Sequence, residues 1–316
     1  MSRWIAAGLI VLALIPFALP SQGMVNLAFL TVVSAALGQA WNIAGGFGGL
    51  TSFGHAAFFG VGAYVAAIVQ TRWGLSPWLG LPFAATLGAA VGWGIGFAAF
   101  RAGLRGSYFA LVTLAFAEAF RVLANSLDFT SAGLGILIPL KPGLENFQFS
   151  DRRVSYAAAL ALLALTVAAA AWLRRSRFGA RLAAIRESED AARALGIEPL
   201  WVKSSTLALS AALTALGGVL YAQTYLYVDP STAFGAERSV EMLLVAMVGG
   251  AGTVLGPLLG ALLLHAISDS SRLLIDTPGF GPMLYGLVLL AVIGLLPGGV
   301  ARLSVARLFR PRRIRA

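Results

Sequence analysis

Residues 77–100 read PWLGLPFAATLGAAVGWGIGFAAF, an apolar stretch without a charged side chain. At about 1.5 Å per residue, a helix of this length is long enough to cross about 30 Å of hydrocarbon. Residues 25–44 and 154–173 are also apolar and uncharged. Because the interior of a bilayer offers no water, each backbone there must satisfy its own hydrogen bonds. These stretches are therefore predicted to be membrane-spanning α-helices.

Composition and the placement of charge both indicate a bilayer environment. Hydrophobic residues make up 59% of the 316 positions and charged residues 11%, whereas soluble proteins carry about 25% charged residues. Of the 23 basic residues, six lie within 174–193 and six within 302–315. Neither cluster alternates with aromatic residues, so the net charge of +10 indicates cytoplasmic loops and not nucleic-acid binding. The chain contains no Cys, which excludes disulfides and thiolate chemistry.

The arginine-rich loops predict a topology. The loop at 174–200 and the tail at 302–316 should both be cytoplasmic, so an even number of crossings separates them. Counting back from the first loop places the loop at 126–153 in the periplasm and the N-terminus, with Arg3, in the cytoplasm. The sequence predicts an all-α polytopic membrane protein, a single transmembrane domain over 1–316, with about eight spanning helices and both termini cytoplasmic. The predicted spans are 4–20, 24–45, 53–70, 78–100, 107–125, 154–173, 203–226 and 281–297.

Two glycine-rich stretches interrupt the apolar pattern, GGFGGLTSFGH at 45–55 and GGAGTVLGP at 249–257. Glycine and proline disfavour an unbroken helix, and each flank within 239–267 offers only about ten residues, or about 15 Å of helix. This predicts a re-entrant pair of half-helices there. Paired breaks can line a substrate path, but glycine also lets helices pack closely, and both readings stay open. The glycines concerned are Gly45, Gly46, Gly48, Gly49, Gly249, Gly250 and Gly252.

Few polar side chains lie within the predicted spans, and an intramembrane charge costs about 2.5–3.5 kcal/mol unless it faces protein or water. Each has a structural alternative to a transport role. Glu118 and Arg121 are three positions apart and can pair with each other. Glu241 can cap a half-helix or line the path. His55 can hydrogen bond to backbone, and His265 is expected near a helix end. The candidate path residues are Asn42, Thr51, Ser52, His55, Glu118, Glu241 and Thr253.

An amphipathic segment lies within the loop at 174–200. Its apolar residues recur three and four positions apart, with a break at Glu189, as on one face of a helix. Gly196 is a suitable C-cap, and Pro199 prevents continuation. The segment could dock against another protein, lie on the membrane surface, or act as a solvated connector. The narrow, alanine-rich stripe favours docking. It consists of Phe178, Leu182, Ile185, Ala192 and Leu195.

Several short pieces of sequence together carry a family resemblance. Within the amphipathic segment they are Phe178-Gly179, Ile185-Arg186, Glu189, Ala191-Ala192 and Leu195-Gly196-Ile197. Others follow in order: Asn42-Ile43, Gly54-His55-Ala56-Ala57-Phe58, Gly62-Ala63-Tyr64, Ala115-Phe116-Ala117-Glu118, Gly217-Gly218, Tyr221-Ala222, Ser239-Val240-Glu241, Gly249-Gly250-Ala251-Gly252-Thr253, Gly256-Pro257 and Gly260-Ala261. Covering most of residues 38–265, they resemble the permeases of ABC importers, in particular the LivM-type permeases for branched-chain amino acids.

The resemblance implies a transport subunit in a bacterial inner membrane. Its implied partners are a second, LivH-like permease, two cytoplasmic ATPases and a periplasmic substrate-binding protein. Branched-chain or similar small amino acids are the implied substrate. Urea and short amides remain open within the same family, and a stand-alone secondary transporter is the alternative outside it. The residues implied to couple to an ATPase are Phe178, Leu182, Ile185, Arg186, Glu189, Ala192, Leu195 and Gly196.

The chain itself lacks the motif of an ATP-binding phosphate loop. That motif, G-x-x-x-x-G-K-[ST], needs a lysine after glycine, and neither Lys141 nor Lys203 follows one. ATP and Mg²⁺ are therefore expected in partner subunits, with no cofactor, metal site or catalysis in this chain. Replacing Leu182 or Ile185 with Asp is predicted to abolish ATP-driven uptake while leaving the protein folded.

Overall fold

The computed structural model describes residues 2–274 and, beyond them, 283, 286, 287, 290, 294 and 298–301. Helices dominate this part of the chain, with one two-stranded antiparallel sheet. The helices are α1 Ser2–Ala18, α2 Gln22–Asn42 with a π-helical turn Ile43–Phe47, α3 His55–Thr71, α4 Pro77–Arg101, α5 Gly106–Ser126, α6 Arg152–Arg175, α7 Arg177–Glu187, α8 Glu189–Ala194, α9 Pro199–Tyr225, α10 Pro230–Phe234, α11 Ala236–Gly249 and α12 Gly256–Leu274. The strands are β1 Ile136–Leu137 and β2 Tyr227–Val228.

Five helices of the described part are long and apolar enough to cross a membrane. They are α2 with its π-helical turn, α4, α5, α6 and α9. Helix α3, with 17 residues, is apolar but shorter. These helices agree with a polytopic helical membrane protein. The predicted span at 281–297 and the predicted tail at 302–316 lie almost entirely outside the described residues.

Local sequence sets where the long helices begin. Ser76 precedes α4, and its hydroxyl accepts a hydrogen bond from the Trp78 amide at 3.4 Å. Proline occupies the first position of this helix, where no backbone N–H is needed. Asp151 caps α6 in the same way, accepting from the Arg153 amide at 2.9 Å. These caps explain why the two helices begin close to the residues that the apolar pattern indicated.

Helix α9 lies at the centre of the bundle, packed against α3 and α4. Glycines make the approach possible. A Cβ atom at Gly218 would lie 2.0 Å from the Phe59 carbonyl oxygen, and one at Gly62 would lie 1.9 Å from that of Ala215. Such close contact between helix backbones is the usual way in which membrane helices gain packing energy.

Two sets of loops occupy opposite ends of α6. At its N-terminal end, residues 126–153 are held by pairing of β1 with β2 and by Trp78, whose indole N–H donates to the Leu144 carbonyl at 2.6 Å. At its C-terminal end, α7 and α8 lie beside the α4–α5 turn, since Arg105 pairs with Glu189 at 3.3 Å. The α4–α5 turn and the segment at 174–200 therefore share one end of the bundle.

The second glycine-rich break differs from the predicted pair of ten-residue half-helices. Helix α11 has 14 residues and α12 has 19, so both flanks are longer than expected. Helix α12 continues because neither glycine nor proline interrupts residues 261–274. The break itself is confirmed: α11 ends at Gly249, and α12 begins at Gly256.

Candidate functional site

The two glycine-rich breaks meet at Asn42, the last residue of α2. Its side-chain oxygen accepts from the Gly252 amide at 2.7 Å, and its side-chain nitrogen donates to the Thr253 carbonyl at 2.8 Å. A Cβ atom at Gly46 would lie 1.8 Å from the Asn42 side-chain oxygen and 2.4 Å from the Gly252 nitrogen. We call this contact the Asn42 junction, formed by Asn42, Gly46, Gly252 and Thr253. It joins stretches about 200 residues apart in sequence. Bringing such distant stretches together costs conformational entropy, which the contacts of the folded chain must offset.

The other glycines of the breaks also fill close contacts. A Cβ atom at Gly45 would lie 2.2 Å from the Trp41 ring, one at Gly48 would lie 2.6 Å from the Ala44 carbonyl oxygen, and one at Gly249 would lie 1.9 Å from that of Gly256. Of the two readings left open by the sequence, close packing therefore accounts for these positions. The remaining two, Gly49 and Gly250, have positive φ angles of 66° and 117°.

Arg186 of α7 reaches into both breaks. Its guanidinium donates a hydrogen bond to the Gly46 carbonyl. Its Nη1 atom would lie 3.4 Å from a Cβ atom at Gly252, and its Cγ atom would lie 3.2 Å from one at Gly49. The last carbonyl groups of a helix have no hydrogen-bond donor within the helix. The Arg186 guanidinium supplies a donor for the carbonyl of Gly46. Arg186, predicted to contact an ATPase, here contacts its own chain.

His55 is fully buried in a network of hydroxyl groups and does not bond to backbone as the sequence suggested. Its Nε2 atom lies 2.8 Å from the Ser210 hydroxyl, and its Nδ1 atom lies 3.1 Å from that of Ser52. Ser210 donates its own proton to the Ala40 carbonyl at 2.7 Å, so it must accept from Nε2–H. Ser52 also accepts from the Gly54 amide at 3.1 Å, so its hydroxyl joins the imidazole to the residue before α3. The imidazole thus links α3 to α9 through the Ser210 hydroxyl.

Ser52 and Thr51, adjacent in the first break, have different surroundings. Ser52 is buried, and its carbonyl accepts from the Trp41 indole N–H at 2.8 Å. Thr51 is exposed and borders a polar cavity of about 250 Å³. The same cavity is bordered by Arg105, Arg186 and Lys203. Of these two candidate path residues, only Thr51 is open to a ligand from this side.

The amphipathic segment forms two helices, because Ser188 ends α7 and caps α8 by accepting from the Ala191 amide at 3.3 Å. The predicted C-cap is confirmed: Gly196, with φ 79°, donates to the Arg193 carbonyl, and Ile197 donates to that of Ala192. This is the left-handed glycine position of a helix end, which most side chains disfavour.

The predicted outward direction of the apolar stripe is wrong for three of its five residues. Leu182 is 1% exposed, and Ile185 and Ala192 are buried with it in one cluster. Their partners come from the chain itself: Ala40, Ile43, Ala170, Leu173, Val202 and Leu213. Phe178 is half-buried and stacks on Trp172, with ring centroids 6.1 Å apart. Among the residues implied to couple to an ATPase, Leu195, at 79% exposure, Gly196 and Arg186 are exposed.

Glu189 also serves its own chain, as the centre of a charge cluster. Its carboxylate accepts a hydrogen bond from Lys203 and pairs with Arg193 at 2.9 Å and Arg105 at 3.3 Å. Burial alone would raise the pKa of Glu189. The Lys203 hydrogen bond and the charges of Lys203, Arg105 and Arg193 outweigh burial, so its pKa lies below the ordinary value. The cluster ties α8 to the start of α9 and to the α4–α5 turn.

Glu118 lies on an uncovered face of α5, together with its partner. Arg121 donates through Nε to Glu118 Oε2 at 2.9 Å, so the predicted ion pair is confirmed. The Glu118 side chain is nevertheless 55% exposed, and Leu111 and Val122 on the same helix are exposed too. Of the two alternatives left open by the sequence, the structural pair is therefore present, and the transport role stays a prediction.

Glu241 borders a cavity of about 500 Å³ between α11 and α12. It does not cap α11, as one alternative proposed, because it lies in the second turn of that helix. One carboxylate oxygen accepts from the Ser34 hydroxyl at 2.8 Å, and the other lies 3.4 Å from the Arg238 guanidinium. Ser34 in turn accepts from His265 Nε2 at 2.9 Å. His265 lies inside α12, not at its end as expected.

Several residues of these networks escaped the sequence reasoning. Ser239 of α11 accepts from the Ala56 amide at 2.8 Å and so caps α3 from another helix. Serines such as this one and Ser34 give no signal in an apolar span. Lys203 could have been found from the sequence, because a lysine at the start of a membrane span needs an acidic partner. Among the described residues, no group of three or more His, Asp or Glu side chains could hold a metal ion.

The fold and these networks define a class: a multi-pass helical membrane protein whose broken helices meet beside an arginine-rich loop. Residues 23–293 match the family model described as the permease component of the branched-chain amino acid transport system. The chain belongs to this permease family and is a multi-pass inner-membrane protein. No solved structure matches the chain.

Curated relatives agree with the family match. Over 306 aligned residues the chain is 34% identical to the high-affinity branched-chain amino acid transport system permease protein LivM of Escherichia coli K12, covering 88% of this chain and 71% of that protein. It is 25% identical to the corresponding LivH of Salmonella typhimurium, covering 88% and 94%. It is 31% identical to the autoinducer 2 import system permease protein LsrC of Yersinia enterocolitica, covering 48% and 43%.

Proposed function

We propose that this chain is one of two permease subunits of an ATP-driven importer for branched-chain amino acids. The similarity to LivM over 88% of the chain is the observation that carries the proposal. The relatives named LivM and LivH are permeases of the same kind of system, which supports pairing with a second permease. Two cytoplasmic ATPases and a periplasmic substrate-binding protein complete the proposed complex, and the ATPases bind ATP and Mg²⁺.

The proposed topology has eight crossings with both termini in the cytoplasm, residues 126–153 in the periplasm and 174–200 in the cytoplasm. The Arg105–Glu189 pair supports it, because it holds the two basic loops at one end of the bundle. In this arrangement the Asn42 junction lies toward the cytoplasm.

The substrate path is proposed to run past Glu118 and Glu241. Both carboxylates are open to a ligand or neighbour, whereas His55 and Ser52 are enclosed by protein. A charge at membrane depth is stable only beside protein or water. The exposed face of α5 is therefore proposed to meet the second permease across the path, and aliphatic walls beside Glu241 suit an aliphatic substrate.

Contact with an ATPase is proposed for the exposed side of α7 and α8, with Leu195 as its apolar residue. This replaces the role first given to Leu182 and Ile185, which the chain itself covers. Exposed arginines on the same helices favour an acidic partner surface.

Gentle solubilisation, capture of this chain and identification of what accompanies it test the proposal. We expect two ATPase subunits and a second permease. The purified complex, placed in vesicles with its binding protein, should take up leucine when ATP is supplied, with urea as the matched negative substrate. A chain that purifies alone would contradict the proposal and favour a stand-alone secondary transporter. Uptake of urea in place of leucine would contradict the substrate.

A further inference from the structure

Arg186 makes the most direct contact between the arginine-rich loop and the broken helices. It leaves α7 at the tenth of that helix's 11 residues and donates to the Gly46 carbonyl in the π-helical turn. Its stem lies over Gly49, where a Cβ atom would be 3.2 Å from Cγ. One side chain therefore spans the gap between the surface loop and the end of α2.

The same guanidinium borders the second break. A Cβ atom at Gly252 would lie 3.4 Å from Arg186 Nη1 and 3.2 Å from the Gly46 carbonyl oxygen. Because Asn42 already holds Gly252 and Thr253 by two hydrogen bonds, the first break, the second break and the loop meet at one place. Gly46 has no room for a side chain while this contact is made, and the φ of 77° at Gly252 disfavours a side chain there.

The rest of α7 packs tightly against the neighbouring helices, so a movement of α7 must also displace them. A Cβ atom at Gly179 would lie 1.7 Å from the Leu173 carbonyl oxygen, so α7 touches the end of α6 backbone to backbone. Leu182 and Ile185 are buried against residues of α2 and α6. A displacement of α7 thus acts on the π-helical turn through close contacts, and through the charged contact of Arg186 in particular.

From this geometry we infer that Arg186 is a latch, a side chain that links the arginine-rich loop at 174–200 to both glycine-rich breaks. This role rests on the proposed function and deepens it. When a partner ATPase moves α7, the latch transmits that movement to the Asn42 junction, and the breaks change their arrangement. Arg186 is a positioning residue: it acts through the Gly46 carbonyl and Gly252, not on the substrate.

The decisive variant is Arg186→Ala in the complete transporter, reconstituted in vesicles with its binding protein. The leucine transported per ATP hydrolysed should fall at least tenfold, with ATP hydrolysis changed less than about twofold, because the latch no longer transmits movement. Arg186→Lys keeps a positive charge that can reach one break, but it lacks the planar guanidinium that borders both breaks. It should therefore restore the ratio of leucine transported to ATP hydrolysed only in part. Arg175→Ala, on an exposed position at the end of α6 and outside the proposed docking surface of α7 and α8, is the matched control and should leave the ratio unchanged.

A second measurement is independent of ATP hydrolysis. The chain contains no cysteine, so Thr253→Cys gives a single labelling site at the junction. In the Arg186→Ala background its labelling by a water-soluble maleimide should become at least several-fold faster, and Arg175→Ala should not change it. An unchanged transport ratio together with unchanged labelling would overturn the latch. Absence of ATP-driven uptake by the wild-type complex would instead overturn the proposed function.

Discussion

Asn42 and Gly46 occupy one small space, and this makes Gly46 intolerant of any side chain. Its Cβ atom would press on the Asn42 side-chain oxygen and the Gly252 nitrogen, both of which take part in a hydrogen bond. The Gly252 nitrogen is backbone, and the Asn42 side chain is held in place by its two hydrogen bonds to Gly252 and Thr253. The constraint is therefore local and steric, and it can be tested without transport.

Gly46→Ala should lower the stability of the purified protein by about 1–3 kcal/mol, the usual cost of overpacking. Thermal unfolding of the detergent-solubilised protein, followed by tryptophan fluorescence, measures it. Gly94→Ala is the control, since nothing lies within 4 Å of a Cβ atom there. It should be neutral or stabilising by up to about 1 kcal/mol, because alanine favours helix. Equal unfolding temperatures for the two variants would contradict the steric account.

Glu189 gives a pH-dependent prediction at the same scale. Its pKa is lowered from the ordinary value of 4.5, so its stabilising contribution is complete above that value and is lost as pH falls through the lowered pKa. Glu189→Gln should cost on the order of 2 kcal/mol at neutral pH, since it leaves Lys203 without its partner. The difference in unfolding temperature between wild type and variant should stay constant from about pH 8 to pH 5 and narrow below 4.5.

The neighbouring Glu187 provides the comparison for this pH series. It is exposed and lies two positions away on the preceding helix. Glu187→Gln should unfold like the wild type at every pH. A difference for Glu189→Gln that widened in acid would show that the carboxylate is not the stabilising form.

At the scale of the element, α7 and α8 have one feature that their sequence predicts and one that it does not. The C-cap at Gly196 was predictable, because the turn chemistry is local. The direction of the apolar stripe was not, because it depends on Ala170 and Leu173, which the chain brings there only on folding. Likewise, the glycine content predicted the two breaks. Their contact through Asn42 could not be predicted, because it depends on how the chain folds.

The two sides of this element should respond differently to the same substitution. Leu182→Asp places a charge in a fully buried cluster and should unfold or strongly destabilise the protein, contrary to the expectation drawn from sequence. Leu195→Asp, on an exposed position, should leave thermal unfolding unchanged within about 0.5 kcal/mol. It should also reduce the amount of ATPase that co-purifies. Full ATPase recovery with Leu195→Asp would remove this residue from the proposed docking surface.

At the scale of the whole molecule, the uncovered face of α5 is the strongest sign that the chain does not act alone. Acyl chains cannot solvate the Glu118–Arg121 pair, and the pair keeps more than half of the Glu118 side chain exposed. An apolar exposed face, such as that of α4 with Phe83 and Leu87, can instead meet lipid. The chain thus presents two kinds of surface at membrane depth, and only one of them requires a polar neighbour.

Single cysteines in this cysteine-free chain can distinguish the two surfaces in the assembled complex. Glu118→Cys should react with a water-soluble maleimide, because the α5 face borders a hydrated path or its entrance. Phe83→Cys, exposed to a similar degree on α4, should be protected by lipid. ATP and the loaded binding protein should change the rate at Glu118→Cys at least twofold, since the path opens and closes, and leave Phe83→Cys unaffected. If both cysteines were protected in every condition, the α5 face would be a dry contact, and the path would have to run elsewhere, past Glu241.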